Sequence, residues 1–364
     1  MAYDFKSIIA KFDLNGELVS CERYGEGHIN ETYLAVVNDG GKKVNYILQK
    51  INTKLFTEPD KLMNNIRLVT EFNRAKIQAR GGNPDRESLS IVYTKDGAPY
   101  YQLESGECFR VYIFITDAVA YQTVEKPEHF YQSAVAFGNF ANLLAEFDAT
   151  QLYEVLPKFH DTTKRFNDFT NSLNADKFDR AKLCQKEIQF VLDRKDYCGR
   201  IVNLLKSGEM PTKVTHNDTK LNNVMLDSTT GKPVAVIDLD TIMPGSICYD
   251  FGDSIRFGCN PCAEDEKDLS KVNFRIDLFE EYARGYLSAV GEGATKIERD
   301  NLAFGAILMT YECGMRFLAD YLDGDIYFRT HREGQNLDRA RTQFKLIEDM
   351  EKVLDQMNAI VAKY

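Results

Sequence analysis

The residues between Val214 and Asp240 have the types and the spacing that phosphoryl transfer requires. Asp218 follows His216 by two positions, Asn223 lies five positions further on, and Asp238 comes after two short apolar runs. A carboxylate can orient and deprotonate a hydroxyl group, and hard oxygen ligands can hold Mg²⁺ on the phosphates of ATP. We therefore predict that Asp218 is a catalytic base and that Asn223 and Asp238 bind the metal ion.

The two apolar runs, Val224 to Leu226 and Val234 to Ile237, flank a turn that contains glycine. Two short strands around such a turn are typical of an antiparallel hairpin. A hairpin brings its two outer ends together, so Asn223 before it and Asp238 after it could reach one metal ion. The alternative is a surface hairpin with incidental polar ends, which does not account for the order of the residue types.

A second candidate for the metal-binding aspartate is Asp250, which begins an Asp-Phe-Gly triplet of the kind found in protein kinases. It lies twelve residues beyond Asp238, across Pro244 and Gly245, and therefore away from the end of the hairpin. We assign the metal to Asp238 and expect Asp250 to orient the catalytic loop by hydrogen bonds. Asp240 points the same way as Asp238 in an extended chain. It is either a second contact to metal or water, or a solvated carboxylate.

Upstream, the chain has the pattern of a small antiparallel sheet with one long helix. Runs of β-favouring residues flank the turn from Gly25 to Gly27 and a tight turn from Asn38 to Gly41. An apolar period close to that of a helix predicts one from Pro59 to Arg80. Gly25 and Gly27 let backbone amides approach phosphates closely, so we expect a phosphate-covering loop there. The predicted strands cover Leu18 to Arg23, Glu31 to Val37, Val44 to Lys50, Ile91 to Tyr93, Tyr100 to Leu103 and Cys108 to Ile115.

The third predicted strand ends where protein kinases carry a lysine that contacts the phosphates. In this chain the segment reads Tyr-Ile-Leu-Gln-Lys, which puts Gln49 at the lysine position and Lys50 on the opposite face. Either Gln49 hydrogen-bonds to the phosphates, or a local bulge allows Lys50 to reach them. Glu71, on the following helix, is either the partner of such a lysine or a solvated glutamate.

After Thr116 the pattern changes to long segments that predict helices. A β-rich part followed by a helical part is the two-lobed arrangement of protein kinases. We therefore predict an α+β fold with a nucleotide-binding lobe at residues 1–116 and a mainly α-helical catalytic lobe at residues 117–364. The predicted helices cover Glu128 to Phe147, Lys177 to Leu205, Leu278 to Ala289, Glu298 to Leu322 and Leu337 to Ala362, with a longer loop from Asp161 to Asn174.

Composition narrows the class of protein. The chain has 364 residues and a net charge of −10, and a diffuse acidic balance argues against binding to nucleic acid. Its longest apolar runs are far shorter than the ~20 residues of a membrane span, and the N-terminal residues lack the apolar stretch of a secretory signal. The eight cysteines are scattered and are expected to be reduced thiols in the cytoplasm. We expect ATP and a small molecule as the partners, no membrane or nucleic acid, and a monomer.

With these residues in place, the chain resembles the aminoglycoside phosphotransferase and choline kinase superfamily, and within it the bacterial N-acetylhexosamine 1-kinases. A generic phosphotransferase would share only the motif around Asp218 and the later aspartate, whereas the matching segments span nearly the whole chain. They are YGEGHIN from Tyr24, YILQ from Tyr46, FHDT from Phe159, THNDTKLNN from Thr215, IDLDTIMPGS from Ile237, DFGDSIRFG from Asp250, EDEKDLSKV from Glu264 and ECGMRFLADYLDGDIYF from Glu312.

The resemblance implies transfer of the γ-phosphate of ATP to the anomeric (C1) hydroxyl of N-acetylglucosamine or N-acetylgalactosamine, with Mg²⁺ as the cofactor. It implies that Asp218 is the base and that Asn223 and Asp238 are the metal ligands. It also implies that the helical lobe binds the sugar. Cys21 departs from the family, because an aliphatic residue near the nucleotide is expected there. The residues that match the expected sugar pocket are His28, Phe257, Arg316 and Tyr327.

Three alternatives stay open at this point. Arg316 lies at helical spacing from Glu312 and Asp320, so it could form a salt bridge on a helix face instead of a sugar contact. The protein could be another small-molecule kinase of the same superfamily, acting on a hexose, an amino alcohol or an aminoglycoside. It could also be a catalytically silent nucleotide-binding module, although the intact set of predicted catalytic residues argues against this.

Overall fold

A computed structural model describes residues 3–25 and 29–364 of the chain. The described chain divides into two compact units. The N-terminal unit comprises residues up to 119 together with 150–156 and 225–243, and the C-terminal unit comprises 120–149, 157–224 and 244–364. The boundary predicted after residue 116 lies close to the end of the first continuous segment, but two later segments also belong to the N-terminal unit.

The N-terminal unit is built on an antiparallel sheet in the order β1-β2-β3-β6-β4, with β5 also paired to β6. A second small sheet has the order β10-β9-β7, whereas β8, which pairs with β11, belongs to the C-terminal unit. The six strands predicted for this part of the chain are confirmed, with ends that differ by one or two residues. The strands are β1 (Glu17–Arg23), β2 (Glu31–Asp39), β3 (Lys42–Lys50), β4 (Ile91–Val92), β5 (Tyr101–Gln102), β6 (Cys108–Ile113), β7 (Ala118–Val119), β8 (Lys213–Thr215), β9 (Val224–Asp227), β10 (Pro233–Val236) and β11 (Met243–Gly245).

The sheet owes its register to its turns and its apolar face. Gly40 and Gly41 have positive φ angles (57° and 97°) between β2 and β3, where residues with a side chain would be strained. The side chain of Asn38 accepts the Gly41 N–H at 2.9 Å and closes this turn. Apolar side chains of the sheet and of the N-terminal segment around α1 (Phe5–Ile9) form the core of the unit: Ile8, Ile9, Phe12, Ala35, Val37, Leu48, Val92, Phe109 and Val111.

The C-terminal unit is mainly helical, as predicted. α11 is its central helix and packs against α5, α8 and α12, while α4 packs against α9. The helices of the chain are α1 (Phe5–Ile9), α2 (Pro59–Ala79), α3 (Pro84–Glu87), α4 (Pro127–Leu143), α5 (Thr162–Ala175), α6 (Gln185–Asp193), α7 (Gly199–Ser207), α8 (Ile247–Gly258), α9 (Ile276–Val290), α10 (Lys296–Arg299), α11 (Leu302–Leu322), α12 (Gln335–Lys352) and α13 (Leu354–Lys363).

Four predictions in this unit are wrong. The single helices predicted from Glu298 to Leu322 and from Leu337 to Ala362 are each divided, into α10 and α11 and into α12 and α13. The stretch predicted as a loop is helix α5, because Asp161 caps its first turn by accepting the Lys164 N–H (3.0 Å) and its aromatic side chains are buried. The segment from Lys177 to Leu205, predicted as one helix, is interrupted by a 3₁₀ turn at Lys195–Cys198. Its apolar period continues across the interruption, so the period alone does not reveal the break.

Helix α11 corrects the expectation that no apolar segment is long enough to cross a membrane. Among the described residues, Leu302–Leu322 has 21 residues, and its best window has a mean hydropathy of 1.2. That window is 83% buried inside the protein, as in the core helix of a globular unit. Its apolar character is therefore accounted for by packing against neighbouring helices.

Candidate active site

The predicted catalytic loop runs from His216 to Asn223 and is shaped by helix α8. The carboxylate of Asp250 accepts the backbone N–H groups of His216 (2.8 Å) and Asn217 (2.7 Å), one on each oxygen. Asn217 has a left-handed backbone (φ 64°), which is uncommon outside glycine and which these bonds stabilise. Burial raises the pKa of Asp250. The prediction that Asp250 orients the loop is confirmed, and both of its oxygens are engaged in doing so.

A second aspartate holds the loop one helical turn later. Asp253 accepts the Thr219 N–H (3.1 Å) and is itself bound by the guanidinium of Arg256 (2.9 Å). Burial works to raise the pKa of Asp253, but the charges of Arg256 and Lys220 lower it overall. The sequence contained a signal for this role, since Asp250 and Asp253 lie at i, i+3 spacing on one helix face.

Asp218, the predicted base, has a different partner for each carboxylate oxygen. Oδ1 lies 2.7 Å from Lys220 Nζ, and Oδ2 accepts a hydrogen bond from the side-chain amide of Asn223 (3.1 Å). The side chain remains 24% exposed, so a substrate hydroxyl group can reach it. A carboxylate that is held in one geometry beside a cation and open to solvent can orient a hydroxyl group and accept its proton.

Lys220 is a candidate functional residue that was not predicted. Burial works to lower its pKa, but Asp218 and Asp253 raise it overall, so the ammonium group stays charged. A cation in this position can also neutralise charge on a transferred phosphoryl group. The sequence signal was a lysine two residues beyond the predicted base, in a loop and not on a helix face.

Asp238, the predicted metal ligand, belongs to the N-terminal unit. It follows β10 and precedes the 3₁₀ helix Leu239–Thr241, with a left-handed backbone (φ 59°). The predicted hairpin is present, because β9 and β10 pair and the Asp227 N–H donates to the Lys232 carbonyl at 2.8 Å. Asn223 uses its amide nitrogen on Asp218, so the atom it can offer a cation is its carbonyl oxygen. Carboxylate and amide oxygens are a donor set that suits Mg²⁺.

Asp240 forms a buried ion pair with Arg110 of strand β6. Its Oδ1 lies 2.6 Å from the guanidinium, its Oδ2 accepts a hydrogen bond from the side-chain amide of Asn30 (2.5 Å), and the residue is 3% exposed. Of the two interpretations made from the sequence, the solvated carboxylate is therefore wrong, and the contact to metal or water stays a prediction. The sequence could not indicate this role, because Arg110 is distant along the chain and reaches Asp240 only through the fold.

The two predicted phosphate contacts at the end of β3 have partners within the N-terminal unit. The side-chain amide of Gln49 donates to Thr32 (3.0 Å), and its oxygen accepts two hydrogen bonds from Arg110 (3.0 and 2.8 Å). Lys50, on the opposite face, pairs with Glu31 at 2.8 Å. Both side chains are therefore engaged by other residues of the protein, and neither is presented as an exposed, unpaired ligand for phosphate.

The other residues predicted on the nucleotide side are only partly described. Gly25 has a positive φ angle of 72°, as a tight glycine turn requires, whereas Gly27 and His28 lie outside the described residues. Cys21 is half-buried, and burial raises the pKa of its thiol to about 11. Glu71 pairs with an arginine one helical turn earlier (2.8 Å) and is half-exposed, so of its two interpretations the surface glutamate is confirmed.

Three of the predicted sugar-pocket residues lie in the C-terminal unit, and two of them are in contact. The Arg316 guanidinium lies 5.5, 5.7 and 5.4 Å from the ring centres of Phe159, Tyr327 and Phe328. Its Nη2 atom is 3.5 Å from the hydroxyl of Tyr327, whose side chain is largely exposed. Phe257 is half-buried on α8. Arginine and aromatic rings thus form one open cluster.

The salt bridge weighed against a sugar contact for Arg316 does not occur among the described residues. Glu312 pairs instead with His160 (Oε1 to Nδ1, 2.8 Å). Asp320 accepts the backbone N–H groups of residues 326–328 at 2.8 to 3.0 Å and thereby fixes the loop that carries the aromatic rings. Arg316 therefore keeps a half-buried guanidinium that can bind neutral oxygen atoms.

The surroundings of Arg316 are positively charged. Burial lowers the pKa of Arg165, and the nearby charge of Arg316 lowers it further. Burial works to raise the pKa of Glu312, but His160 and the two arginines lower it overall. Because Glu312 is already paired with His160, its charge is partly compensated before any ligand binds.

Solved structures of small-molecule phosphotransferases share this fold. An aminoglycoside phosphotransferase from Alicyclobacillus acidocaldarius has a TM-score of 0.62 and 14% identity, covering 100% of this chain and 98% of its own. A spectinomycin phosphotransferase in complex with ADP and spectinomycin has a TM-score of 0.60 and 12% identity, covering 98% and 99%. A choline kinase from Cryptosporidium parvum has a TM-score of 0.57 and 13% identity, covering 99% and 98%. At these identities the likeness concerns the fold.

The family follows from the sequence itself. The profile of the phosphotransferase enzyme family (APH) matches residues 20–293, which include the catalytic loop, the hairpin and helix α8. The predicted α+β, protein-kinase-like fold is confirmed by the solved structures. The chain belongs to the phosphotransferase enzyme family (APH).

Proposed function

We propose that the protein is an ATP-dependent kinase that phosphorylates the anomeric (C1) hydroxyl group of N-acetylglucosamine and N-acetylgalactosamine. Its family membership and the segments that resemble bacterial N-acetylhexosamine 1-kinases support this reaction. The observation that carries the choice of acceptor is the environment of Arg316, a guanidinium that is packed among aromatic rings and that forms no salt bridge with a carboxylate in the part of the chain that the structure describes.

This environment favours a neutral, acetylated sugar. Aromatic faces suit the C–H surfaces of a sugar ring, and guanidinium N–H groups suit hydroxyl and acetamido oxygens. An amino alcohol or an aminoglycoside carries positive charge, which Arg316 and the neighbouring Arg165 would repel. We propose that Tyr327, Phe257 and His28 line the same acceptor site.

In the proposed mechanism, Asp218 accepts the proton of the sugar O1 as that oxygen forms its bond to the γ-phosphorus. The bond from the γ-phosphorus to the bridging oxygen of ADP breaks in the same in-line transfer. Lys220, 2.7 Å from Asp218 Oδ1, holds that carboxylate in position and offsets negative charge on the phosphoryl group. Asn223 and Asp238 would hold Mg²⁺, which when bound neutralises charge on the β- and γ-phosphates.

We further propose that the N-terminal unit binds ATP, with the loop at Gly25 and Gly27 covering the phosphates and excluding water. The enzyme is proposed to act as a cytoplasmic monomer. These assignments follow from the sequence, since closely spaced glycines, scattered cysteines expected to be reduced and a net charge of −10 suit a metabolic kinase.

The proposal is tested by incubating the purified protein with ATP, Mg²⁺ and a panel of acceptors. The panel contains N-acetylglucosamine, N-acetylgalactosamine, glucose, galactose, choline, ethanolamine and kanamycin, and the phosphate position is read by ³¹P and ¹H NMR. We expect phosphate at C1 and the highest kcat/KM for the acetamido sugars. Phosphate at O6, or a preference for choline, ethanolamine or kanamycin, contradicts the proposal.

Arg316 supplies a second arm of this test. Arg316→Met is expected to raise KM for N-acetylglucosamine by roughly 10-fold or more while the KM for ATP stays near its original value, because one charged hydrogen-bond donor is lost from the acceptor site. Arg284→Met, which removes a surface arginine paired with Glu281, is the matched control. An unchanged sugar KM in Arg316→Met would exclude the guanidinium from the acceptor site.

A further inference from the structure

Strand pairing places an arginine beside the position at which kinases carry a phosphate-binding lysine. In the register of β3 and β6, Gln49 is directly opposite Arg110. The Arg110 Nε and Nη2 atoms both donate to the Gln49 side-chain oxygen, at 3.0 and 2.8 Å. Gln49 therefore serves as an acceptor for a buried cation, and the cation on this face of the sheet belongs to β6.

The other side of the same guanidinium holds the segment after the hairpin. Arg110 lies 2.6 Å from Asp240, and the two side chains are only 1% and 5% exposed. Asn30 adds a hydrogen bond to the second oxygen of Asp240 and accepts the Asn52 N–H at 3.0 Å. A buried charge is tolerated only when it is paired and hydrogen-bonded, and Asp240 meets both conditions.

Asp240, which belongs to this network, lies two positions after Asp238, a residue with a strained backbone. Asp238 has a left-handed backbone (φ 59°), a conformation that persists in residues other than glycine only where the surroundings impose it. Asp240 is held by Arg110, and the Ile242 carbonyl accepts a hydrogen bond from the buried Asn65 side chain at 3.0 Å. The short segment after Asp238 is thus fixed at two points to the sheet and to helix α2.

The lysine–glutamate pair of protein kinases has no counterpart among the described residues near this position. Lys50 pairs with Glu31 on the opposite face of β3, and Glu71 pairs with an arginine of its own helix. The buried pair at the end of the sheet is Arg110 with Asp240.

We propose that Arg110 is a positioning residue for phosphoryl transfer, which holds Asp238 in its left-handed conformation by clamping Asp240 to Gln49. The clamp takes the structural place of the lysine–glutamate pair but acts on the metal-binding segment. This inference rests on the proposed function, since it takes Asp238 to be a ligand of Mg²⁺. Groups that orient a metal ligand typically contribute roughly 10- to 100-fold to metal affinity, and we expect an effect of that size.

The test measures binding of the non-hydrolysable ATP analogue adenylyl imidodiphosphate by titration calorimetry, in Mg²⁺ and in EDTA. The variants are Arg110→Met and the double variant Arg110→Met/Asp240→Leu, in which no buried charge is left unpaired. Arg194→Met is the matched control, because it removes a half-buried arginine held by Glu351 at 2.7 Å in the C-terminal unit. Asp238→Asn measures the effect of altering the proposed ligand itself.

We expect both Arg110 variants to bind the analogue in EDTA as the parent protein does, and to lose roughly 10- to 100-fold of the affinity gained with Mg²⁺. Arg194→Met should keep the full gain. The double variant should recover thermal stability without recovering the Mg²⁺ effect, which separates positioning from folding.

Three results overturn the inference. If Asp238→Asn loses the Mg²⁺ effect while both Arg110 variants keep it, the clamp is structural only and the proposed function stands. If Asp238→Asn keeps the Mg²⁺ effect, the ligand assignment in the proposed function is wrong and the inference is lost with it. If the Arg110 variants lose analogue binding in EDTA to the same extent as in Mg²⁺, Arg110 acts on the nucleotide and not through Asp238.

Discussion

At the scale of single residues, the candidate active site depends on carboxylates that differ in their surroundings. Asp218 is partly exposed and shares its oxygens between an ammonium group and an amide, whereas Asp250 gives both oxygens to backbone N–H groups. Asp240 is buried against a guanidinium. The same side chain thus acts as candidate base, loop support or clamp, depending on which donors surround it.

Asp218→Asn is expected to lower kcat by roughly 10²- to 10⁴-fold, because the amide cannot accept the proton of the acceptor. Binding of ATP should be unchanged, since Lys220 and the loop support remain. Steady-state kinetics and nucleotide titration measure the two effects. Asp168→Asn, at an exposed carboxylate paired with Lys164, is the control, and near-normal turnover in Asp218→Asn would refute the assignment of the base.

Glu312 predicts a pH dependence of stability. Its pKa lies below the ordinary value of 4.5, because the charges of His160 and two arginines outweigh the effect of burial. A depressed pKa contributes stability that is present above pH 4.5 and is lost as the pH falls through the pKa of the folded protein. Denaturant unfolding from pH 7 to pH 3 should show this loss.

Glu312→Gln should remove that part of the pH dependence. At pH 7 it should also lower the free energy of unfolding by about 1–3 kcal/mol, since the buried contacts of the Glu312 carboxylate with His160 and Thr162 lose a charged acceptor. Glu292→Gln, at an exposed glutamate, serves as the comparison. A pH profile that is the same in Glu312→Gln as in the parent would rule out this account.

At the scale of elements, helix α8 connects the catalytic loop to the core of the C-terminal unit. Its Asp250 and Asp253 hold the loop, and its other side packs on α11. The two helices approach closely where glycines face them: a Cβ atom at Gly305 would lie 2.5 Å from the carbonyl oxygen of Cys248. The close contact between the backbones of α8 and α11 therefore fixes the position of α8, and with it the positions of Asp250 and Asp253.

Gly305→Ala is expected to lower the free energy of unfolding by about 1–3 kcal/mol, because α8 must move away from α11 to admit the methyl group. The same movement should reduce kcat through Asp250 and Asp253. Gly199→Ala is the matched control, since a Cβ there would meet only the end of the Asn203 side chain. Unchanged stability and turnover in Gly305→Ala would show that the helices tolerate a wider spacing.

At the scale of the whole molecule, the chain is a member of the phosphotransferase enzyme family with two compact units. The segment with Asp218 and Asn223 belongs to the C-terminal unit, and the segment with Asp238 belongs to the N-terminal unit. A ligand that binds the native protein and not the unfolded chain stabilises the native state.

ADP with Mg²⁺ at a concentration 100-fold above its Kd should stabilise the native protein by about 2.7 kcal/mol and raise Tm accordingly. Asp238→Asn should keep the rise that ADP produces in EDTA and lose the additional rise with Mg²⁺. Differential scanning calorimetry measures both. An equal Tm increase with and without Mg²⁺ in the parent protein would mean that no metal contributes to nucleotide binding.

Much of the fold could be predicted because local patterns determine it. β1, β2 and β3 follow from alternating side chains and glycine turns, and α2 follows from its apolar period and from the proline at its first turn. α5 was missed because Asp161 looks like any loop residue until its side chain is seen to cap the helix. The break within the segment from Lys177 to Leu205 was missed because packing, not periodicity, ends those helices.

By itself, the sequence determined the type of chemistry and its order along the chain. Asp218, Asn223 and Asp238 could be proposed as base and metal ligands because residue types at fixed spacing depend only on covalent order. Tertiary structure alone decided which partner each carboxylate has. Asp250 accepts backbone N–H groups, Asp240 pairs with Arg110, and Glu312 pairs with His160 instead of Arg316. The physical reason is that the charge, exposure and pKa of a side chain depend on neighbours that folding brings from distant parts of the chain.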